Sequence, residues 1–202
     1  MPPRRTRKPQ TGASGRVRLI GGDWRRRTLT FPAVDGVRPT PDRVRETLFN
    51  WLAPFIPGSR CLDLFAGSGA LGLEALSRGA QEALFIDTSR TLTRTLSRNL
   101  AELGTDQGQV RCEDVLSLLH AGPGTTHYDI VFLDPPFRGG WVEPVCRALN
   151  ESLWVRDGSR VYVEHEAEAG EPPVPANWEL RRRKTAGQVC YSLFQVQAGR
   201  SA

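Results

Sequence analysis

The stretch Leu62-Asp63-Leu64-Phe65-Ala66-Gly67-Ser68-Gly69-Ala70-Leu71-Gly72 decides the fold. An apolar run ends there, small residues turn the chain tightly, and a helical pattern begins at Ala70. Glycine lets the backbone approach a ligand closely, and the first turn of a helix offers free N–H groups. The stretch therefore predicts a strand, a ligand-binding turn and a helix, which together form one unit of an open α/β sheet.

Strand-like and helical patterns alternate on the C-terminal side of this turn. The strand-like runs cover residues 61–65, 83–86, 109–112, 130–133 and 160–164. The helical runs cover residues 70–77, 89–103, 115–119 and 141–149. Two final runs flank Ala186-Gly187 and predict an antiparallel hairpin. We expect an α/β, Rossmann-like fold with a seven-stranded, mostly parallel sheet that ends in this hairpin.

The N-terminal side of the turn predicts a small extension. Residues 1–15 contain little that is apolar and predict a disordered basic tail. Residues 16–57 predict a β-hairpin and a helix, with Thr40 as the N-cap of the helix and Pro41 at its first position. The α/β domain is expected to cover residues 58–198.

Positive charge is concentrated at the N-terminal end. Twelve Lys and Arg residues against three Asp residues give residues 1–45 a net charge of +9, so the remaining 157 residues carry −4 of the total of +5. This asymmetry indicates a polyanionic partner for the N-terminal segment. The alternative is a solvated tail in an arginine-rich protein, since Lys8 and Lys184 are its only lysines.

The sequence gives no sign of metal binding, secretion or membrane insertion. The four cysteines, Cys61, Cys112, Cys146 and Cys190, form no C-x-x-C pair and fit no zinc spacing, so free thiols that serve as small core residues are expected. No apolar window approaches eighteen residues, and the basic N-terminus precedes no apolar stretch. We expect a cytoplasmic monomer without a metal.

Three acids follow successive predicted strands. Asp63 precedes the glycines, where a carboxylate repels a pyrophosphate but attracts an ammonium or sulfonium group. No Gly-Lys-Ser/Thr follows, which excludes a P-loop. Asp87 can accept hydrogen bonds from two ribose hydroxyls, and Asp114 from an adenine amino group. A single acid of this kind can be a solvated strand end, but three in register predict one ligand crevice.

The tetrapeptide Asp134-Pro135-Pro136-Phe137 follows a buried strand. Proline pairs commonly mark turns. Here they also fix the Asp134 side chain and the Pro135 carbonyl as two acceptors for a planar amino group, whose lone pair then faces a methyl donor. Phe137 offers a stacking surface for a base that has left its helix. The tetrapeptide predicts methyl transfer to an exocyclic amine, catalysed by positioning and polarisation.

These motifs resemble class I methyltransferases that modify exocyclic amino groups, and most closely the bacterial 16S rRNA guanine-N2 methyltransferase D family, which acts on guanine 966. The likeness covers residues 16–196. The resemblance rests on the following segments: Arg38-Pro39-Thr40, the helix at 42–52, the loop at 63–75, Asp134–Phe137, Val174–Trp178 and Lys184–Val189. Asp-Pro-Pro-Phe is shared with DNA adenine methyltransferases. The combination of the Arg-Pro-Thr helix with this glycine loop is more specific.

The resemblance implies S-adenosylmethionine as the cofactor and assembled 30S particles with their 16S rRNA as the substrate. It implies catalytic roles for Asp134, Pro135, Pro136 and Phe137. The implied cofactor-binding residues are Arg38, Thr40, Asp63, Phe65, Ala66, Gly67, Ser68, Gly69, Leu71, Asp87, Thr88, Asp114, Val115 and Asp134. The resemblance also implies that the hairpin and helix of residues 16–57 bind RNA, that residues 58–198 form the methyltransferase domain, and that the surface for rRNA phosphates contains Arg25, Arg26, Arg27, Arg43 and Arg45. Thr88 and His165 stand where the family pattern differs.

Other functions fit parts of the sequence. An N6-adenine DNA methyltransferase would share the tetrapeptide but normally carries a separate target-recognition domain, for which 202 residues leave no room. A protein glutamine or small-molecule methyltransferase would not need the basic N-terminus. A nicotinamide-dependent oxidoreductase or a non-catalytic nucleotide-binding module would leave Asp134–Phe137 unexplained. His165 is either a substrate contact or a solvated or packed histidine. Arg181–Lys184 is either a second RNA contact or the charged face of an edge strand.

Overall fold

The computed structural model of the protein describes residues 14–32, 34 and 40–198. The predicted tail up to residue 13 and the predicted cofactor residue Arg38 lie outside the described residues. The strands are β1 (Ser14–Arg18), β2 (Thr28–Pro32), β3 (Arg60–Leu64), β4 (Glu82–Asp87), β5 (Gly108–Cys112), β6 (Ile130–Leu133), β7 (Arg160–Glu166), β8 (Trp178–Ala186) and β9 (Val189–Val196). The helices are α1 (Asp42–Leu52), α2 (Ala70–Ser77), α3 (Arg90–Leu103), α4 (Val115–Ala121) and α5 (Val142–Glu151).

A seven-stranded sheet in the order β5-β4-β3-β6-β7-β9-β8 forms the centre of the molecule. Strands β5, β4, β3, β6 and β7 run parallel. Strand β9 pairs antiparallel with β7 and β8. The predicted fold class is confirmed, because the chain has a mostly parallel sheet that ends in an antiparallel hairpin.

Apolar side chains cover both faces of the sheet. Alternate residues of a strand point to opposite faces, so Phe132 of β6 belongs to one core cluster and Val131 to the other. Helices α1, α2 and α3 cover the first face, whereas α4 and α5 cover the second. Strands β3, β4, β6 and β7 are buried along most of their length, and acidic residues lie at or next to their carboxyl ends, which leaves those ends as the place for a site.

The N-terminal hairpin and α1 pack on the first face rather than forming a separate core. Leu19, Leu29, Leu48 and Phe49 belong to the same cluster as Phe132. β1 and β2 pair antiparallel as the sequence predicted, but the pairing begins at Ser14. The first two residues of β1 therefore lie within the predicted tail. The division of the chain at residue 58 stays a prediction.

The turn of the hairpin is fixed to the end of α2. The Asp23 amide donates to the Ser77 carbonyl oxygen at 2.7 Å, and the Trp24 amide donates to Ser77 Oγ at 3.0 Å. Ser77 Oγ in turn donates to the Gly21 carbonyl at 2.6 Å. A short segment with few apolar residues thereby acquires a defined position next to the sheet.

All four cysteines are free thiols, as expected. Cys61, Cys146 and Cys190 are buried, but Cys112 is exposed. The expectation of a core position was wrong for Cys112, because it lies on β5, the edge strand of the sheet. In the described part of the chain, no helix has the length and apolar character needed to cross a membrane.

Candidate active site

The carboxyl ends of the parallel strands bring the predicted acids together. Asp63 of β3 is in register with Phe85 of β4 and Phe132 of β6. Leu133 is in register with Val163 of β7, so Asp134 and Glu164 follow a matched pair of residues on adjacent strands. The crevice therefore contains one acid more than the sequence predicted.

The glycine loop is held in a strained conformation between β3 and α2. Gly67 and Gly69 have φ angles of 55° and 76°. Phe65 also has a positive φ of 61°, which is uncommon for a bulky residue and typical of functional sites. Its ring packs edge-on against Trp141, with 5.5 Å between the ring centroids. The predicted neighbours Ala66, Ser68 and Leu71 are buried.

Asp87 fixes the loop to the end of β4. Its carboxylate accepts hydrogen bonds from the Gly67 amide at 2.9 Å and from the Ser89 amide at 2.8 Å. Each oxygen retains a lone pair for a ligand hydroxyl. Asp87 thus combines a structural role with the predicted ribose contact.

The third predicted acid caps a helix. Asp114 accepts from the Ser117 amide at 2.9 Å and is the N-cap of α4. Of its predicted neighbours, Val115 is buried and Thr88 is exposed. Asp114 is half-buried, so it is available to a ligand at this edge of the crevice.

Asp63 is only 2% exposed. It accepts a hydrogen bond from the Gly72 amide at 2.9 Å. Burial, followed by the negative charges of Asp134 and Asp87, raises its pKa well above the ordinary value. Among the described residues no ion pair reaches Asp63, Asp87 or Asp134. Three acids without a protein cation form a site suited to a cationic ligand.

Thr40 contacts Asp134 and does not cap α1. Its hydroxyl donates to Asp134 Oδ2 at 3.2 Å, across 94 residues of sequence. The residue before α1 is Pro41, and no side chain caps the helix. The predicted N-cap role was wrong because the Thr40 hydroxyl already has this long-range partner. Burial raises the pKa of Asp134 to about 6, and the hydrogen bond from Thr40 opposes that rise.

The tetrapeptide borders a cavity of about 210 Å³. Pro135 is buried, whereas Phe137 is 43% exposed and presents its ring. Gly139, Gly140 and Trp141 continue this wall. Residues Glu164, His165 and Glu166 at the end of β7 form the opposite wall. The Arg138 amide donates to the Glu166 carboxylate and joins the two walls.

Sequence reasoning missed Glu164. It is 5% exposed and accepts a hydrogen bond from the Tyr162 hydroxyl at 2.7 Å. Burial, followed by the charge of Asp134, raises its pKa to about 8. The signal that could have found it is the one that found Asp63, an acid at the end of a buried strand-like run.

The predicted RNA-binding arginines fall into two groups. Arg25, Arg26, Arg27 and Arg43 are exposed. Arg45 is 1% exposed, and the prediction that it contacts RNA was wrong. Its guanidinium donates to the Arg18 carbonyl at 2.8 Å and to Asp42 at 2.6 Å, because its position on α1 faces the core.

The structure shows where His165 and the basic segment Arg181–Lys184 lie. His165 is 3% exposed, so it is not solvated, and its Nδ1 lies 2.9 Å from the Glu166 carbonyl oxygen. Arg181–Lys184 lies on β8, the strand at the other edge of the sheet. Arg181 forms a 2.6 Å ion pair with Glu179, and Arg183 one of 2.9 Å with Glu171. Both readings of this basic strand stay open.

Comparison with known proteins agrees with this architecture. The solved structure of the Escherichia coli protein yhhF superimposes with a TM-score of 0.84, at 49% identity, and covers 91% of this chain and 99% of that chain. A Haemophilus influenzae methylase structure gives a TM-score of 0.78 at 42% identity, with 91% and 99% covered. The fold is that of a Rossmann-like methyltransferase.

Sequence comparison gives the family. The family model described as "Conserved hypothetical protein 95" matches residues 17–195. The chain is 52% identical over 192 residues to Ribosomal RNA small subunit methyltransferase D of Escherichia coli K12, covering 95% of this chain and 96% of that protein. The Haemophilus influenzae protein of the same name is 44% identical over 193 residues, covering 94% and 99%. The chain belongs to the ribosomal RNA small subunit methyltransferase D family.

Proposed function

We propose that the protein transfers a methyl group from S-adenosylmethionine to the exocyclic N2 of a guanine in 16S rRNA, at position 966 of the small ribosomal subunit. The observation that carries the proposal is the position of Asp134, a half-buried acid directly before Pro135 and beside a cavity with an exposed aromatic ring. Family membership supports rRNA as the substrate. The exposed arginines Arg25–Arg27 and Arg43 give it a surface for phosphates.

The crevice fits the proposed cofactor by charge. S-adenosylmethionine carries an ammonium and a sulfonium group, and Asp63, Asp87 and Asp134 meet no cation of the described chain. A Cβ at Gly69 would lie 2.5 Å from Leu96 Cδ1, so only glycine leaves the loop in this form. We assign Gly67–Gly69 and Asp63 to the methionine part, Asp87 to the ribose and Asp114 to the adenine.

The bound cofactor supplies an electrophilic methyl group on sulfur. The Asp134 carboxylate and the Pro135 carbonyl oxygen accept the two hydrogens of the guanine amino group and localise its lone pair on nitrogen. Phe137 stacks on the base, and Thr40 orients the Asp134 carboxylate. The amine loses its proton after it has received the methyl group, so Asp134 acts by polarisation and positioning.

Replacing Asp134 by Ala separates an enzyme from a nucleotide-binding module. With 30S particles that lack the modification, we expect N2-methylguanosine from the wild type and a loss of kcat/KM of about 10²- to 10⁴-fold in Asp134→Ala. Calorimetry should show that S-adenosylmethionine still binds, since Asp134 is one of several contacts. Asp106→Ala changes an exposed acid outside the crevice and serves as the control. Full activity in Asp134→Ala would contradict the mechanism.

A further inference from the structure

The cavity beside the tetrapeptide is a built site with an unused polar atom. The Nε2 atom of His165 is buried and has no hydrogen-bond partner. A carbonyl oxygen only accepts, so the contact with the Glu166 carbonyl places the proton of the neutral ring on Nδ1. Nε2 is then a buried acceptor without a donor. Buried polar atoms are normally paired, so this one is an acceptor that a ligand in the cavity could use.

The size and lining of the cavity suit a single nucleobase. Its volume of about 210 Å³ is below the ~300–1,000 Å³ of sites for drug-sized ligands. Phe137 and Trp141 line it with aromatic rings, and Glu164 and Glu166 are among its other lining residues. Aromatic surfaces with a few polar groups are how proteins bind a base that has been flipped out of its helix.

Glu164 lies where it can meet the same base as Asp134. The two acids follow residues Leu133 and Val163, which are in register on neighbouring parallel strands. The ladder alternation places their side chains on the same face as Phe132 and Tyr162, which share one core cluster. Asp134 and Glu164 are therefore neighbouring acids at the carboxyl ends of adjacent strands.

We propose that Glu164 binds the O6 and N1–H edge of the target guanine, while Asp134 holds the neighbouring N2. This inference rests on the proposed function. The carboxyl O–H of Glu164 donates to O6 and its other oxygen accepts from N1–H. That oxygen also accepts from Tyr162, and a carboxyl oxygen has two lone pairs for the two donors.

The surroundings of Glu164 keep its proton in place. Burial and the nearby Asp134 carboxylate raise the pKa of Glu164 to about 8, whereas the pKa of Asp134 is about 6. The negative charge of Asp134 favours the protonated form of Glu164, so a proton held by the pair is expected on Glu164. The other titratable groups that face it are Tyr162 on its own strand and Tyr191, its register partner on β9. Asp134 thus serves as the hydrogen-bond acceptor for N2, and Glu164 serves as the donor to O6.

Two substitutions distinguish this role from a structural one. Glutamine has the hydrogen-bonding pattern of a neutral carboxylic acid, so Glu164→Gln should retain kcat/KM for 30S particles within a few-fold. Glu164→Ala should lose roughly 10- to 100-fold, which is the range of one bidentate contact to a base. Above pH ~8 Glu164 ionises and loses its donor, so the wild type should lose affinity for the particles there, while Glu164→Gln should not.

Controls make each outcome decisive. The control variants Glu102→Gln and Glu102→Ala change an exposed glutamate of α3. Thermal unfolding and calorimetry of S-adenosylmethionine binding report whether each variant is folded. Three results would each overturn the inference. The first is wild-type activity in Glu164→Ala, and the second is a folded Glu164→Gln that is as impaired as Glu164→Ala. The third is a basic limb of the pH profile that lies at the same pH in the wild type and in Glu164→Gln. If Glu164→Ala does not fold, the pH comparison still decides. A wild type that makes no N2-methylguanosine overturns the proposed function first, and this inference with it.

Discussion

The hydrogen bond from Thr40 to Asp134 joins the N-terminal segment to the reacting end of β6. A neutral donor stabilises the ionised carboxylate, and this contact lowers the pKa of Asp134 against the effect of burial. The proposed mechanism needs the ionised form, because a carboxylate without a proton accepts hydrogen bonds from both the Thr40 hydroxyl and the substrate amino group. Activity is then present above the pKa of Asp134 and lost as the pH falls through about 6.

Thr40→Val should move the acidic limb of the kcat profile to higher pH. Valine keeps the shape of threonine but removes the donor, so the Asp134 carboxylate is less stabilised and its pKa rises. The control is Thr47→Val, because the Thr47 hydroxyl donates to the backbone carbonyl of Arg43 on the same helix. An acidic limb at the same pH in Thr40→Val and the wild type would show that this hydrogen bond does not tune Asp134.

Arg45 shows how a buried residue can be mistaken for a surface one. Beyond its contacts with Asp42 and Arg18, its Nη1 lies 3.8 Å from Glu74 Oε2. Glu74 is fully buried and accepts from the Ile20 amide at 2.8 Å and from Arg78 Nε at 2.6 Å. This ion cluster connects α1 and the hairpin to α2. Its function is to fix the N-terminal segment over the sheet.

Arg45→Ala should lower stability, whereas Arg43→Ala should weaken binding to 30S particles. Removing Arg45 takes a cation from a buried cluster and should lower the free energy of unfolding by about 3 kcal/mol. Removing Arg43, which is exposed, should leave stability unchanged within ~0.5 kcal/mol and weaken binding to 30S particles. Urea unfolding and filter binding measure the two quantities. Unchanged stability in Arg45→Ala would contradict the role of the cluster.

At the scale of secondary-structure elements, the glycine loop between β3 and α2 carries the largest constraint. Gly69 and Gly104 have nearly the same φ, 76° and 74°. Gly104 ends α3, and a Cβ there would meet nothing within 4 Å. The pair therefore separates the cost of backbone strain from the cost of filling the loop.

Gly69→Ala should abolish binding of S-adenosylmethionine, whereas Gly104→Ala should not. Both substitutions place a side chain at positive φ and should lower the free energy of unfolding by roughly 1–3 kcal/mol. Only Gly69→Ala also displaces Leu96 and the turn that approaches the cofactor. Calorimetry and thermal unfolding report the two effects. Equal cofactor affinity in both variants would place the cofactor elsewhere.

The elements themselves were largely predictable from local sequence. α2 and β6 have the predicted bounds, 70–77 and 130–133, because an apolar run bounded by glycine or proline determines each of them. β7 extends to Glu166, two residues beyond the prediction, since β9 pairs with it as far as Val189. Pairing between distant strands leaves no mark in the local pattern.

The site was predictable only at positions where the residue type and its place in the local pattern indicate a single role. The acids at strand ends and the tetrapeptide are such positions. The partner of Thr40 is 94 residues away, and the contact that buries Arg45 involves another helix, so local sequence gave these residues their commonest roles, a helix cap and a surface cation. Glu164 was not predicted, although it ends a buried strand-like run and lines the cavity together with His165.

At the scale of the whole molecule, the charge distribution predicts how binding responds to salt. The acidic crevice and the basic N-terminal residues lie in one chain of net charge +5. Each arginine that contacts a phosphate releases counterions, and the slope of log K against log salt falls by about 0.7–0.9 for each contact removed.

Replacing Arg25, Arg26 and Arg27 together by Gln should make binding to 30S particles weaker and less dependent on salt. All three side chains are exposed, so stability should change little. The matched variant replaces Arg181 and Arg182 on β8, and it decides whether that edge is a second RNA contact. A salt slope in the Arg25–Arg27 variant equal to that of the wild type would remove this surface from the RNA interface.

The central claim is methyl transfer to a guanine amino group of the assembled small subunit. The most direct measurement gives the wild type labelled S-adenosylmethionine and three substrates, namely 30S particles without the modification, naked 16S rRNA and duplex DNA, and identifies the methylated nucleoside. The account predicts N2-methylguanosine, mapped to position 966, in the 30S particles alone. N6-methyladenine in the DNA, or no transfer to any of the three despite cofactor binding, would contradict it.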